Sequence, residues 1–280
     1  MNQRLLTLTL ASLLTLNLVG CSTTQQSSKS DNAQQISTNG YSTAPLPAEL
    51  QQKLNESMVA VKGGEFLMGS DAKSARKREK PVHQVELDDF YISKFEMTQD
   101  IFFEVMGWNP SYFRCDNCPI NNLSHLQMKI FIDKLNARTG KQYRLPTEAE
   151  WEFAAKGGNQ SKNYLFAGSD NIDDVAWYAG NAQRKNHAVG QKQPNELGLY
   201  DMTGNVWEIC ADDFDEHSYH SHAAKNPKVE INIQNAKIKM KVTRGSGYEF
   251  TEQESYVFMR DMVSDNVRMP DVGFRLAHDK

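Results

Sequence analysis

From residue 160 to the C-terminus, Gly, Asn, Asp and Pro recur every few residues, and no long helical period appears. Over that length the chain cannot be built from long packed helices. It has to be held by short strands and ordered turns. KIKMKVT, residues 237–243, alternates with Ile238, Met240 and Val242 on one face, and VGFRLA near the end reads as a last strand. The first part of the chain supplies what helix there is. The fold class expected is α+β, with a few short helices, short strands and much irregular backbone.

Local signals place the earlier elements. Residues 58–61 and 66–68 read as strands separated by Gly63-Gly64, and HQVELDDFYIS alternates at Val85 and Leu87 and continues through Phe90 to Ile92. Thr98 can cap a helix over QDIFFEVM, Asp100 suits its positive end and Gly107 can stop it. A second helix is expected from about His125 to Arg138, capped by Ser124, with Leu126, Ile130, Phe131 and Leu135 as its buried stripe and Gly140 beyond its end. In LPTEAEWEFAAKGG, Thr147 and Glu150 fit a capping box; Trp151, Ala154 and Ala155 should face inward before Gly157-Gly158. No internal repeat is found, and one domain over residues 56–280 fits best.

The N-terminus obeys other rules. Arg4 is the only charge before an apolar run from Leu5 to Val19, too short for a membrane span and suited to a secretory signal. The run ends in LVGC, which resembles the lipobox of bacterial lipoproteins. That implies cleavage before Cys21, lipid on its thiol and new amino terminus, and stable anchoring by several acyl chains. Ser22 after it implies delivery to the outer membrane. Residues 21–55 are rich in Ser, Thr, Gln and Asn and read as a lipidated N-terminus and disordered tether. A flexible coil of ~30 residues spans on the order of 30 Å. The net charge of −4, with 31 basic and 35 acidic residues in no basic block, speaks against nucleic acid as a partner.

Cys115 and Cys118 form CDNC, followed by Pro119. Such a pair can be a redox dithiol, half a zinc site or a local disulfide. Zinc would need two more ligands and no second CxxC exists. A redox dithiol usually opens a helix after a strand, whereas this one sits in a turn-rich stretch, so the structural disulfide is favoured. Cys210 follows VWEI and reads as a buried thiol. ADDFDEHSYHSH packs His217, His220 and His222 among four carboxylates, a composition that can bind zinc or iron but that also suits a variable surface loop.

GGEFLMGS (63–70), YISKFEMTQ (91–99), YRLPTEAEWEFAAKGG (143–158), NELGLYDMTGNVWE (195–208), RGSGY (244–248) and GFRLA (273–277) follow one another in this order. Together they closely resemble the formylglycine-generating-enzyme, or sulfatase-modifying-factor, family over nearly all of residues 57–280. The resemblance implies a compact fold with little regular structure, related to C-type lectins. It also implies calcium, held by Asn side chains and backbone carbonyls. Carried over residue by residue, the ligands would be Asn181, Ala182, Asp201, Met202, Gly204 and Val206. The stretch after Asn181, QRKNHAVG, is short and basic, which weighs more against the Asn181 half than the Asp201 half.

Catalytic members of the family turn a substrate cysteine into formylglycine with oxygen, using copper(I) on two cysteines just after the RGSGY loop. Copper(I) is soft and needs thiolates. Here those positions fall on Phe250 and Ser255, and no Cys follows Cys210. Copper is therefore not expected, and the chain leans away from catalysis. A carbon–sulfur-bond-forming branch requires a His-rich helical domain, and residues 22–57 hold no His. A periplasmic branch that takes part in siderophore maturation without the cysteine pair stays open as an oxidoreductase alternative. In that case Glu249, Glu252 and Glu254 are the acid–base candidates, and Arg244 and Arg260 the anion contacts of a cleft. The first expectation is a non-catalytic binding or scaffold lipoprotein of the outer membrane, its domain facing the periplasm or the cell surface, with an envelope protein of a secretion or motility complex as partner. A lectin-like receptor rests on fold relationship alone.

Overall fold

The structure is a computed structural model that describes residues 40–232 and 238–280. The signal sequence, Cys21, most of the tether and Lys237 lie outside the described residues. Helix α1 (Ala48–Ser57) leads directly into β1 (Met58–Val61), followed by the hairpin strands β2 (Gly64–Met68) and β3 (His83–Leu87), then β4 (Phe90–Ser93). Helices α2 (Gln99–Met106), α3 (His125–Thr139), α4 (Glu148–Ala155) and the single turn α5 (Ile172–Val175) come next. Strands β5 (Trp207–Asp213), β6 (Met240–Arg244), β7 (Arg260–Ser264), β8 (Val272–Gly273) and β9 (Ala277–Asp279) complete the chain. Three sheets result: β1-β4-β9, the hairpin β2-β3, and β7-β6-β5-β8, in which only the short β5–β8 pairing is parallel. The α+β expectation holds.

Where the local chemistry was explicit, the elements follow it. Ser124 and Gln127 cap α3 reciprocally, Thr147 and Glu150 do the same for α4, and Gly140 ends α3 in a left-handed conformation. At α2 the capping atom differs. Thr98 makes no cap bond; its hydroxyl donates to Asp100 Oδ1, which also accepts the Ile101 amide.

Four expectations are corrected. Leu126 is exposed and Ile130 half-buried, and the inward stripe of α3 is Met128, Phe131, Ile132 and Leu135. Phe131 stacks on Phe102 of α2 at 5.0 Å and meets Phe274 edge-on at 5.7 Å, and these aromatic contacts set the helix's rotation. The strand read from residue 237 begins at Met240, with Ile238 exposed; Lys241 is buried because its ammonium pairs with Asp213 at 2.6 Å. HQVELDDFYIS and VGFRLA each divide between two sheets: Asp88-Asp89 separate β3 from β4, and Phe274–Leu276 separate β8 from β9. Finally, order begins before residue 56. Leu46 and Leu54 enter the core beside Met97 and Phe102, and Lys53 pairs with Asp100 at 2.5 Å. Two apolar anchors on an amphipathic turn suffice where average composition reads as tether.

Candidate functional site

The RGSGY loop leaves β6 at Arg244 and rejoins the sheet at Arg260 of β7, and the two residues are direct cross-strand partners. Gly245 takes φ +91°, and a Cβ there would stand 3.1 Å from the Trp151 ring; a Cβ on Gly247 would stand 3.2 Å from Trp207. Both glycines let the backbone lie against a tryptophan. Ser246 shares the left-handed conformation at φ +68°.

Arg244 lines no cleft, and Arg260 borders only a space of ≈ 20 Å³ behind the loop tip. Arg244 is fully enclosed, donating to Glu148 at 2.8 Å, Glu152 at 2.6 Å, the Tyr219 hydroxyl at 3.2 Å and the Val257 carbonyl at 3.1 Å. Arg260 grips both oxygens of Glu148 at 2.6 Å and lies over the Tyr219 ring at 4.5 Å. The expectation that they contact an anion is corrected: both charges are already matched inside the protein. Burial would raise the Glu148 pKa, but Arg260 and Arg244 outweigh it and hold that carboxyl below its ordinary value. Burial likewise opposes ionisation of Glu152, and Lys156 and Arg244 bring it down to about 2. Glu148 and Glu152 stand one turn apart on α4, so a single helix face supplies both acids. A second enclosed pair lies alongside: Arg275 binds Glu208 through two bonds of 2.6 and 2.7 Å, and Trp151 Nε1 donates to the same carboxylate at 2.8 Å.

The loop tip is filled by ordinary packing. Phe250 is half-buried, edge-on to Trp207 with ring centroids 5.3 Å apart, and its carbonyl accepts the Ala179 amide. The Ser255 hydroxyl is buried and donates to the Thr251 carbonyl at 2.8 Å, with Ser246 Oγ 3.1 Å away. Glu254 folds back on Thr251 as a turn cap. Glu249 faces solvent beside Arg184 at 3.6 Å. Between Arg76, Trp207, Phe250, Glu254, Met259, Arg260 and Asp261 the space left is ≈ 20 Å³, room for about one water. The free thiol among the described residues, Cys210, is buried, and burial, reinforced by Glu148 and Asp212, pushes it well above its ordinary pKa. No soft donor set for copper(I) exists at these positions. Cys115 and Cys118 form the local disulfide, bridging the turn before Pro119.

The residues assigned to calcium by resemblance divide. Asn181 is engaged within the protein, its carbonyl accepting the Tyr178 amide and its amide donating to Asp173 and the Ala176 carbonyl; the Ala182 carbonyl accepts His187 Nε2 at 2.9 Å. These atoms are occupied by the turn itself and do not fit a cation. Asp201 differs. It is buried at φ +55°, one oxygen accepts the Gly190 amide at 2.7 Å, and Oδ1 has no partner. Burial raises its pKa to about 6, against the pull of Gly190 and Arg275. Glu96, beside it, is raised well above its ordinary value by burial and by Asp201. An enclosed carboxylate with an open oxygen suits a proton or a hard cation, so the Asp201 half of the set, with the Met202, Gly204 and Val206 carbonyls on the same turn, fits the group. Among the described residues no cluster of three or more His, Cys, Asp or Glu could hold a metal. The histidine stretch does not gather: His220 is exposed, and His222 turns to His83 of β3, Nδ1 to Nε2 at 3.0 Å.

The family model for the sulfatase-modifying factor enzyme 1-like domain matches residues 43–280. The chain belongs to that family. It is 30% identical to the chaperone protein LppX of Paenibacillus barcinonensis over 81% of this chain and 91% of that protein. It is 26% identical to the formylglycine-generating enzyme of Thermomonospora curvata over 84% of this chain and 97% of that one. Among solved structures, Treponema denticola variable protein 1 matches with a TM-score of 0.69 at 27% identity, over 80% of this chain and 95% of that one. Relatives so named differ in role on one fold, so what distinguishes this member has to be read from its own site.

Proposed function

We propose that this family member is a non-catalytic binding protein of the bacterial envelope, anchored through lipid on Cys21, whose domain holds or escorts another envelope protein. The observation that carries the reading is the closed loop. Phe250 and Ser255 stand at the two family cysteine positions, each in its own packing or hydrogen bonds, with ≈ 20 Å³ between the walls. Similarity to a protein named as a chaperone supports the binding role. The oxidoreductase alternative loses its anion contacts, since Arg244 and Arg260 are enclosed, and one of its acids, since Glu254 is tied to its own turn, while Glu249 and Glu252 stay exposed. No helix of the described residues is long and apolar enough to cross a membrane.

A hard cation at Asp201 would be structural, offsetting a buried negative charge and pinning the turn through Val206. Titration calorimetry of the chelated protein with calcium checks this; no heat and an unchanged melting temperature would remove it. The binding role is tested by metabolic labelling with a palmitate analogue, followed by in-cell crosslinking. Label on the wild type, none on Cys21→Ala, and one recurrent crosslinked envelope protein are expected. Turnover of a thiol or phenol by the purified chain would replace the reading with the enzymatic one.

A further inference from the structure

A groove of ≈ 1040 Å³ runs along α3, but its lining mixes seven acids with six bases and singles out no ligand. The CDNC turn, residues 115–118, is more selective. Each of its four residues is held by a hydrogen bond from another segment. The Cys115 amide donates to Gln99 Oε1 at 3.2 Å, and the Asp116 carbonyl accepts the Asp100 amide at 3.1 Å. The Asn117 carbonyl accepts the Val189 amide at 2.9 Å, and the Cys118 carbonyl the Gln99 amide at 3.0 Å. Lys53 Nζ donates to Asn117 Oδ1 at 2.7 Å. Gln99, buried at the start of α2, completes the frame. Its Nε2 donates to the Phe113 and Pro119 carbonyls, one on either side of the turn, at 2.9 and 3.2 Å.

The Cys115–Cys118 bond is therefore not what holds the turn. It joins residues only three apart in sequence, and a cross-link over so short a loop restricts the unfolded chain least. With the bond open, the frame around Gln99 keeps the two sulfurs close enough to rejoin. The turn-rich setting that argued for a purely structural bridge is a fixed cradle against the start of α2. The two cysteines also differ in access: Cys115 is exposed and Cys118 is buried. An incoming thiolate reaches the first sulfur and leaves the second as the departing group. Two and three residues before Cys115, two aromatic rings stand outside the core. Tyr112 is 74% exposed and Phe113 half-buried, edge-on to each other at 4.9 Å, with Tyr248 6.3 Å from Phe113. Rings in that position offer apolar area to whatever approaches Cys115.

We propose that the Cys115–Cys118 pair is a thiol–disulfide exchange site that captures a cysteine of an exported client polypeptide, with Tyr112 and Phe113 seating the apolar residues beside that cysteine. This rests on the reading of the chain as a protein that holds another envelope protein, and it gives that hold a reversible covalent form. The client thiolate attacks Cys115 Sγ. The bond between Cys115 and Cys118 breaks, a bond between Cys115 and the client forms, and Cys118 departs as a thiolate that takes up a proton. Release follows when a second client thiolate attacks the captured client sulfur and Cys115 departs in turn. Two electrons have then passed from the client dithiol to the Cys115–Cys118 pair, and the client leaves with a disulfide. Exchange with a disulfide of another envelope protein restores the starting bond. Cys210 takes no part, being buried.

The full chain in detergent, without oxygen, is mixed with a reduced dodecapeptide carrying two cysteines, each beside a phenylalanine, or with its counterpart carrying serine in place of phenylalanine. One peptide disulfide per chain is expected, formed at least fivefold faster with the phenylalanine peptide, and Tyr112→Ala should bring the two rates within twofold. Cys118→Ser should trap a mixed disulfide on Cys115, and Cys115→Ser should trap none. The reduced native chain should melt within a few degrees of the oxidised one, since the turn is held without the bond. No peptide disulfide from the native chain, or a reduced chain that loses its fold, would make the bridge structural and overturn the assignment. Equal rates for the two peptides on the native chain would overturn the aromatic seat. If Cys118→Ser traps nothing while crosslinking in cells still recovers one envelope protein, the exchange site falls and the binding reading stands. If thiols are consumed beyond one peptide per chain with uptake of oxygen, both fall.

Discussion

Arg244 and Arg260, where the loop leaves and rejoins its sheet, are sealed from solvent and bonded to Glu148, Glu152 and Tyr219, whereas Thr251, Glu252 and Glu249 at its tip face water. The two regions are a few residues apart and answer to different constraints. At the roots every charge has a fixed partner, so no substitution there is free. At the tip, Thr251, Glu252 and Glu249 can change without disturbing the fold, while Phe250 and Ser255, which the family resemblance matches to the two cysteines of catalytic members, are held by packing and hydrogen bonds of intermediate strength. On the proposed function the loop keeps its framework without the chemistry, because the framework lives in the roots.

The comparison is most easily broken at Arg244. Replacing it by Met leaves Glu148 and Glu152 enclosed without their shared cation, and a loss of about 3–5 kcal/mol in denaturant unfolding is expected. A loss below 1 kcal/mol would mean the roots are not structural. Next comes acid. Glu152 is held at about 2 when folded, against an ordinary 4.5. Its contribution is therefore complete above about 4.5 and is lost as pH falls through 2, on the order of 3 kcal/mol. Glu152→Gln should flatten that acid limb.

Asp201 has the opposite sign. Its folded pKa is raised from 3.8 to about 6, so the folded state keeps a proton that the unfolded chain releases. Stability should decline as pH rises from about 4 to 6, and Asp201→Asn should make that decline shallower, Glu96 and Asp212, also raised by burial, supplying the rest with the same sign; a slope unchanged by the substitution would show that Asp201 does not contribute. Smaller effects belong to the tip. Phe250→Ala should cost about 1–2 kcal/mol through its half-buried contact with Trp207, and Ser255→Ala about 1 kcal/mol for its hydrogen bonds. Glu249→Ala, exposed beside Arg184, should stay within ~0.5 kcal/mol.

The sequence made the framework legible where one residue type has one local use. Ser124, Thr147 and Glu150 announced their helix starts, and the order of motifs announced the family. The capping box also concealed something. Glu150 does the capping expected of it, yet Glu148 and Glu152 on either side are the acids that bind Arg244 and Arg260. Those partners come from strands about a hundred residues away, and no local period reports a pairing at that range. For the same reason Arg244 and Arg260 were expected in a cleft: in sequence they flank a glycine-rich loop, and only the fold turns them inward. The groove along α3 was not visible either. Its walls come from α3, the turn between β3 and β4 and the stretch 226–232, segments that meet only in three dimensions. Leu46 and Leu54 were lost in the average polarity of their neighbours.

The proposed function has the loop between Arg244 and Arg260 do no chemistry. Oxygen consumption by the purified full chain, supplied with copper(I) and a cysteine-containing peptide, tests it most directly, with Phe250→Cys/Ser255→Cys as a companion that restores the two thiols. No uptake and no bound copper are expected for the native chain. Copper-dependent oxygen uptake by the native chain would contradict the proposed function.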